Sequence, residues 1–172
     1  MNTRRVVVAL FTGFGIAALA WPSVHTPVAR IIYNLSDSVP PGWYRIGPPE
    51  SLDVGSIVLA RLPPDAAALA AQRGYLPEHI PLLKRIGAMS PQQVCIEKRI
   101  VRIDGIPVAG VHATDGRGRP LSAWQQCRRL HDGELFLLST TNPASFDSRY
   151  FGPVSVSVVI GSAQPLWTWD TP

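Results

Sequence analysis

The sequence has little lysine, cysteine and histidine, and these shortages exclude several kinds of site. Only Lys84 and Lys98 are lysines among the 16 basic residues. Two cysteines and four scattered histidines are too few, and wrongly spaced, for a zinc cage. HExxH, CxxC, the P-loop pattern and GxGxxG are all absent. We therefore expect neither a metal ion nor a bound cofactor.

A concentrated patch of positive charge is also missing. The formal net charge is +4, and the arginines that produce it are scattered along the chain. Proteins that bind nucleic acid usually gather basic residues on one stripe with aromatic residues between them. We expect a solvated basic surface and no nucleic-acid partner.

The N-terminus contains the one long apolar run. Residues 6–21 carry no charge and follow Arg4 and Arg5. The run is near the lower limit for crossing a bilayer, and the two arginines keep the N-terminus cytoplasmic. A cleaved signal peptide has the same pattern, but a Trp-Pro mature start is unfavourable. We predict a cytoplasmic tip and signal-anchor transmembrane helix over 1–23, and a periplasmic domain over 24–172, held at the inner membrane.

The two cysteines, Cys95 and Cys127, lie in the part of the chain predicted to be exported. An even number of cysteines in an oxidising compartment indicates a disulfide. Two buried free thiols are the alternative. We expect the disulfide.

The exported part has the composition and patterning of a loop-rich β structure. Seventeen prolines and fourteen glycines are many for a helical bundle. Strands are predicted over 56–62, 81–89 and 134–140, a hairpin turning at Asp104-Gly105 over 94–111, and a long strand region over 152–169. The only predicted helix after the anchor is short and covers 65–73. The fold class is mainly β, with one short helix.

Two small hydroxyl side chains, Ser36 and Ser38, stand directly before a Val-Pro-Pro-Gly turn. The prolines and glycine explain the turn, but not what the hydroxyls face. A rigid turn would fix an exposed serine in place, as a nucleophile requires.

Lys84 shares one face of a predicted strand with Leu82 and Ile86. An ammonium there either reaches out to water as an edge residue or is held in an apolar site. Burial would lower the pKa of the lysine, so that its neutral amine could accept a proton. Arginine could not do this.

The third polar stretch packs Ser145, Asp147 and Arg149 into five positions. One interpretation is an ordinary turn in which Asp147 caps backbone amides and pairs with Arg149. The other combines this stretch with the serine turn and the lysine. Together they supply the groups that a Ser–Lys catalytic dyad needs.

These stretches, in this order, resemble the boxes of the Ser–Lys signal peptidases. SDSVPPGWY is similar to the Ser-x-Ser-Met-x-Pro box, LLKR to the Lys-Arg box, and SFDSRYFG to the Asp-Ser-Arg box. The RGYL stretch, the VC…W…C spacing and the PLWTW end resemble the conjugative-transfer branch in particular, the TraF-type pilin-maturation proteases. The resemblance implies a signal-peptidase-like β domain behind a membrane anchor.

The resemblance also implies a role for each matching residue. Ser38 takes the place of the nucleophile and Lys84 that of the general base. Ser36 matches the residue whose hydroxyl joins the Ser38 backbone N–H in the oxyanion hole. Ser145 matches the serine that holds the lysine amine.

Asp147 and Arg149 match the supporting ion pair of the family, whose aspartate is treated as catalytically important in the TraF type. The chain departs from the pattern at three places. Val39 replaces a Met or Leu, MSPQQV over 89–94 replaces LPGD-x-V, and STTN over 139–142 replaces a GDN segment. The last two departures affect the substrate groove and the scaffold around the dyad.

The expected function is that of a membrane-bound serine endopeptidase that processes an exported pilin precursor through an acyl-enzyme, and in the TraF type also cyclises it. Two alternatives stay open at this point. One is a general type I signal peptidase, with the same chemistry and a broad substrate set. The other is a catalytically inert periplasmic scaffold domain of a secretion or pilus system.

Overall fold

The structure is a computed structural model that describes residues 3–24, 31–49 and 51–169. Over those ranges it contains three α-helices: α1 Thr3–Val24, α2 Pro64–Arg73 and α3 Ser148–Phe151. The same ranges contain eleven strands: β1 Ile31–Asn34, β2 Gly42–Gly47, β3 Ile57–Ala60, β4 Leu82–Met89, β5 Gln93–Glu97, β6 Ile100–Ile103, β7 Ile106–Gly110, β8 Cys127–Arg129, β9 Glu134–Leu138, β10 Val154–Ser155 and β11 Val159–Thr168. The mainly β fold class is confirmed.

The strands form two antiparallel sheets. The large sheet has the order β1-β2-β11-β3-β4-β9-β10, and the small sheet has the order β7-β6-β5-β8. The small sheet lies between β4 and β9 in the sequence, yet these two strands are hydrogen-bonded neighbours, with Met89 opposite Leu135. Residues 90–133 are therefore an excursion that leaves the large sheet and returns to it at the same place.

Two sequence expectations need correction. The hairpin over 94–111 is a three-stranded meander, because the chain also turns at Lys98 and Arg99, between β5 and β6. Both residues have positive φ, 49° and 61°. Tight hairpin turns normally place Asn-Gly or Asp-Gly there, so this turn lacks the usual sequence signal. The short helix α2 is also not alone, because the single-turn α3 follows later in the chain.

The N-terminal segment that the sequence analysis assigns to the membrane is helical over Thr3–Val24. Judged on the described residues, no helix combines the length and the hydropathy of a membrane span. The anchor stays a prediction from the sequence.

Three apolar clusters make up the core. One packs between the two sheets, from residues such as Val94 and Phe136. The other two share the large sheet and meet at β4, which contributes Leu82 and Ile86 to one cluster and Leu83 to the other. The position between these leucines and Ile86 is therefore surrounded by apolar side chains. That position is Lys84.

The serine turn between β1 and β2 is fixed at both of its ends. Val39 is 2% exposed and packs with Leu59 and Leu83, a burial that contributes about 2 kcal/mol. Val39 thus keeps the apolar contact expected of a Met or Leu at that position. Gly42 takes a φ of 144°, and a Cβ there would lie 2.2 Å from the Trp167 carbonyl oxygen. Only glycine allows β11 to pass so close.

Candidate active site

Three polar side chains from distant parts of the sequence meet at the serine turn. Ser38 belongs to that turn, Lys84 lies on β4, and Ser145 lies in the loop before α3. The Lys84 Nζ atom is hydrogen-bonded to the hydroxyls of both serines. The two hydroxyl oxygens are 3.0 Å apart. The structure thus brings together the serine and the lysine of the expected dyad, together with the serine expected to hold the amine.

Lys84 is only 5% exposed, so the edge-residue interpretation does not apply. Burial lowers the pKa of Lys84 to about 8; the nearby Asp147 charge opposes this shift and the Arg149 charge adds to it. An amine with this pKa is neutral in a large fraction of molecules near pH 8. Lys84 can therefore accept a proton where an ordinary lysine could not.

Ser38 was expected to be exposed, and this expectation is wrong. It is 7% exposed, because Lys84 and Ser145 pack against its hydroxyl and Val39 draws the turn into the core. Ser38 nevertheless lines a cleft. A substrate can therefore reach Ser38 only through this cleft.

Asp147 and Arg149 form an ion pair with no exposed surface. The guanidinium donates from Nε to one carboxylate oxygen at 2.8 Å and from Nη2 to the other at 2.9 Å. Such a bidentate pair fixes the guanidinium plane relative to the carboxylate plane. Asp147 also accepts the Arg149 backbone N–H, so it caps α3 as well as forming the pair. The helix cap and the ion pair of the turn interpretation are therefore both present. The two charges also lie near enough to Lys84 to act on its pKa.

The other hydrogen bonds of Arg149 hold the loop that carries Ser145 and also reach the end of β7. They reach the carbonyl oxygens of Pro143 at 2.8 Å, Ser145 at 3.0 Å and Gly110 at 2.9 Å. The main chain on both sides of Ser145 is therefore anchored to a buried, fully hydrogen-bonded guanidinium. This anchoring sets the position of the Ser145 hydroxyl against Lys84.

Ser36 is not hydrogen-bonded to Ser38. Its hydroxyl donates to Asn34 Oδ1 at 2.8 Å, and its backbone N–H bonds to the same oxygen at 3.0 Å. Ser36 also lines the cleft beside Ser38. To serve an oxyanion, its single hydroxyl proton would have to leave Asn34.

Asn34 is a site residue that the sequence analysis missed. The side chain is 7% exposed and lies under the serine turn. Its amide donates to the carbonyl oxygens of Ser36 at 2.8 Å, Val39 at 3.1 Å and Pro40 at 3.3 Å. An asparagine two residues before a serine is a signal for this kind of local turn, and it could have been used.

A cleft of about 570 Å³ opens onto the dyad. Ser38 and Lys84 lie among a mostly apolar lining that includes Leu59, Leu83 and Phe146. Within the described residues, no histidine contributes to the lining. A lining of this kind suits an apolar chain segment better than a charged one.

The excursion contributes one wall of the cleft. Asp115 and Gly116 line it, and a local network ties their loop to the end of α2. Arg119 Nε donates to Asp115 at 2.7 Å, the Tyr75 hydroxyl donates to the same carboxylate, and Arg119 also reaches the Arg73 carbonyl oxygen at 3.0 Å. The wall is therefore built by a segment that carries none of the dyad residues.

The two cysteines lie opposite each other on β5 and β8 of the small sheet, and Cys95 and Cys127 are joined by a disulfide. Neither sulfur lines the cleft. The bond cross-links the excursion and takes no part in the site.

Comparison with known proteins gives a consistent result. The profile of the family described as signal peptidase, peptidase S26, matches residues 3–169. The chain is 34% identical to the conjugal transfer protein TraF of Agrobacterium fabrum, over 99% of both chains. It is 30% identical to the plasmid transfer protein TraF of Escherichia coli, over 96% of this chain and 98% of the other. A solved signal peptidase I from Enterococcus faecalis shares 19% identity with a TM-score of 0.42, covering 66% of this chain and 97% of that one. On the profile and the two relatives, the chain belongs to the signal peptidase family, peptidase S26.

Proposed function

We propose that this protein is a membrane-bound serine endopeptidase in which Ser38 is the nucleophile and Lys84 the general base. The observation that carries the proposal is the Lys84 amine, buried among leucines and hydrogen-bonded to two serine hydroxyls. A structural lysine would gain more from a carboxylate partner or from water. An amine with its pKa lowered to about 8 and placed beside a hydroxyl has the arrangement needed for proton abstraction.

The reaction would proceed in two stages. Neutral Lys84 takes the proton of Ser38 as Oγ bonds to the substrate carbonyl carbon. The oxyanion that forms is stabilised by the Ser38 backbone N–H and by the Ser36 hydroxyl once it turns from Asn34. Protonated Lys84 then gives its proton to the leaving amine, and the peptide bond breaks. An acyl-enzyme on Ser38 remains.

A second nucleophile then releases the acyl group. Lys84, neutral again, takes a proton from the incoming group and returns it to Ser38 as the acyl bond breaks. With water the product is a linear chain. With an amine of the same substrate the product is cyclic, and its mass is that of the linear product less one water.

We further propose that the substrate is an exported pilin precursor of a conjugation system, cut at the surface of the inner membrane. The similarity to two transfer proteins named TraF supports the link to conjugation. The uncharged run over 6–21 behind two arginines supports an anchor with the domain on the periplasmic side.

Co-expression with candidate pilin precursors, followed by mass spectrometry of the products, tests these proposals. Ser38→Ala and Lys84→Arg should both abolish cleavage, while the exposed Ser51→Ala should retain it. Equal processing with and without Ser38 would indicate the inert scaffold. A linear product would favour plain hydrolysis, and cleavage of many unrelated precursors would favour a general signal peptidase.

A further inference from the structure

The turn that carries Ser38 is held by more than its own residues. Ser139 and Thr141 belong to the STTN segment after β9, which departs from the family pattern. The Ser139 hydroxyl donates to the Ser38 carbonyl oxygen at 2.9 Å. The Thr141 hydroxyl donates to the Asp37 carbonyl oxygen at 3.1 Å. These bonds connect the serine turn to a segment about 100 residues later in the chain.

These two carbonyls belong to the peptide groups on either side of the Ser38 Cα atom. A peptide group is planar, so restraining its carbonyl oxygen also restrains the orientation of its N–H. When both neighbouring planes are fixed, the direction of the Ser38 side chain from its Cα is fixed as well. The pair of bonds therefore directs the Ser38 Cβ atom towards Lys84, and the contacts with Lys84 and Ser145 hold the hydroxyl there.

The Thr141 bond has a second consequence. In a trans peptide, the Asp37 carbonyl and the Ser38 N–H lie in one plane and point in opposite directions. That N–H is the backbone donor assigned to the oxyanion in the proposed mechanism. A hydrogen bond on the carbonyl also polarises the amide and strengthens its N–H as a donor.

Proton counting supports this assignment of the bonds. Each hydroxyl has one proton to donate. The protons of Ser139 and Thr141 go to the two carbonyls, so the 3.4 Å contact between their oxygens needs no shared proton. The Ser139 oxygen accepts the Asn142 N–H at 3.1 Å, and the Ser139 N–H donates to Asp147 at 3.0 Å. The buried ion pair is thereby connected to the serine turn.

We propose that Ser139 and Thr141 are positioning residues that clamp the two peptide planes flanking Ser38, and that Thr141 aims the oxyanion-hole N–H. This inference rests on the proposed function of Ser38. It assigns to the STTN segment a role in the reaction that its sequence does not indicate.

Thr141 is the better position to test, because Ser139 is buried and also supports Asn142 and Asp147. Thr141→Val keeps the shape and removes the hydroxyl, Thr141→Ser keeps the hydroxyl, and the exposed neighbour Thr140→Val is the matched control. The full chain in detergent is assayed with a fluorogenic peptide that has alanine on the acyl side of the scissile bond. Loss of an oxyanion-hole donor typically lowers kcat by a factor of 10²–10³. A donor that points in the wrong direction should therefore lower kcat by at least about tenfold.

We expect Thr141→Val to lower kcat with KM and the melting temperature unchanged, and Thr141→Ser to recover activity to within about twofold of wild type. A peptide aldehyde, which forms a tetrahedral adduct on Ser38, should bind more weakly to Thr141→Val in parallel with the loss of kcat. Wild-type kcat in Thr141→Val would overturn the inference.

A second readout does not depend on cleavage. The amide resonance of Ser38 in the NMR spectrum should shift in Thr141→Val and stay in place in Thr140→Val. An unchanged Ser38 resonance would refute the clamp even if the peptide is cut. Failure of the wild-type protein to cut any substrate would refute the proposed function instead, and the Ser38 resonance would still decide the clamp.

Discussion

Replacing Lys84 with methionine should make the protein inactive but more stable at neutral pH. Methionine has a similar length, no charge and enough flexibility to fill the same apolar space. Wild-type Lys84 is buried with its pKa lowered from 10.5 to about 8. Below pH 8 the amine is protonated in both the folded and the unfolded chain, and the folded state carries the full cost of burying the charge.

The magnitude follows from the pKa shift. Because the folded pKa lies below the unfolded one, the lysine opposes folding most below pH 8, and this cost is relieved as pH rises from about 8 to 10.5. The cost is about 3 kcal/mol at pH 7 and about 1 kcal/mol at pH 10. Wild type should therefore gain about 2 kcal/mol relative to Lys84→Met between these two pH values.

Urea unfolding of the full chain in detergent, followed by tryptophan fluorescence at pH 7 and pH 10, measures this gain. Hydrogen bonds that methionine cannot make change the stability by similar amounts at both pH values, so they largely cancel in the comparison. Lys98→Met, at the exposed β5–β6 turn, is the control and should shift the free energy of unfolding by less than about 0.5 kcal/mol at either pH. A difference between wild type and Lys84→Met that does not change with pH would refute the reasoning.

Three further predictions concern the same residues and their supports. Cleavage of the fluorogenic peptide should rise with pH and reach half its maximum near pH 8, where Lys84 loses its proton; a rate independent of pH between 6 and 9 would contradict a lysine base. Asp147→Asn leaves the buried Arg149 without its counter-charge and should cost about 3–5 kcal/mol of stability in urea unfolding, whereas a loss below about 1 kcal/mol would mean that the pair is dispensable. Replacing both Cys95 and Cys127 with serine opens a cross-link over 32 residues and should lower the free energy of unfolding by about 3–4 kcal/mol, with cleavage at 25 °C retained; loss of cleavage in folded protein would tie the disulfide to the site.

Some of the site could be predicted from local patterns. The alternation of β4 placed Lys84 on the same face as Leu82 and Ile86, and that face is buried. The meeting of Ser38, Lys84 and Ser145 is different, because 46 and 61 residues separate Lys84 from the two serines. No spacing rule brings such segments together. Only the order of the family boxes indicated their proximity.

Other parts lacked a usable signal. β1 has four residues and β8 three, too few for alternation to stand out from the surrounding loops. The supports of the serine turn were missed for another reason. Ser139 and Thr141 act by donating to main-chain carbonyls, and any chain segment offers such carbonyls whatever its sequence. A main-chain carbonyl is the same in every residue, so a sequence motif cannot indicate which one a side chain will bind.

The excursion over 90–133 separates two tasks that an enzyme of this kind must combine. Its two ends are hydrogen-bonded neighbours in the large sheet, so their spacing is set by β4 and β9 and not by the residues between them. The cleft wall at Asp115 and Gly116 belongs to this excursion, whereas Ser38, Lys84 and Ser145 do not. Changes confined to the loop around Asp115 and Gly116 can reshape the cleft wall while Ser38, Lys84 and Ser145 keep their geometry, because Gly110, the residue of the excursion that accepts from Arg149, lies outside that loop. In the proposed peptidase, substrate choice and bond chemistry would then be encoded by stretches of the gene that can change largely independently.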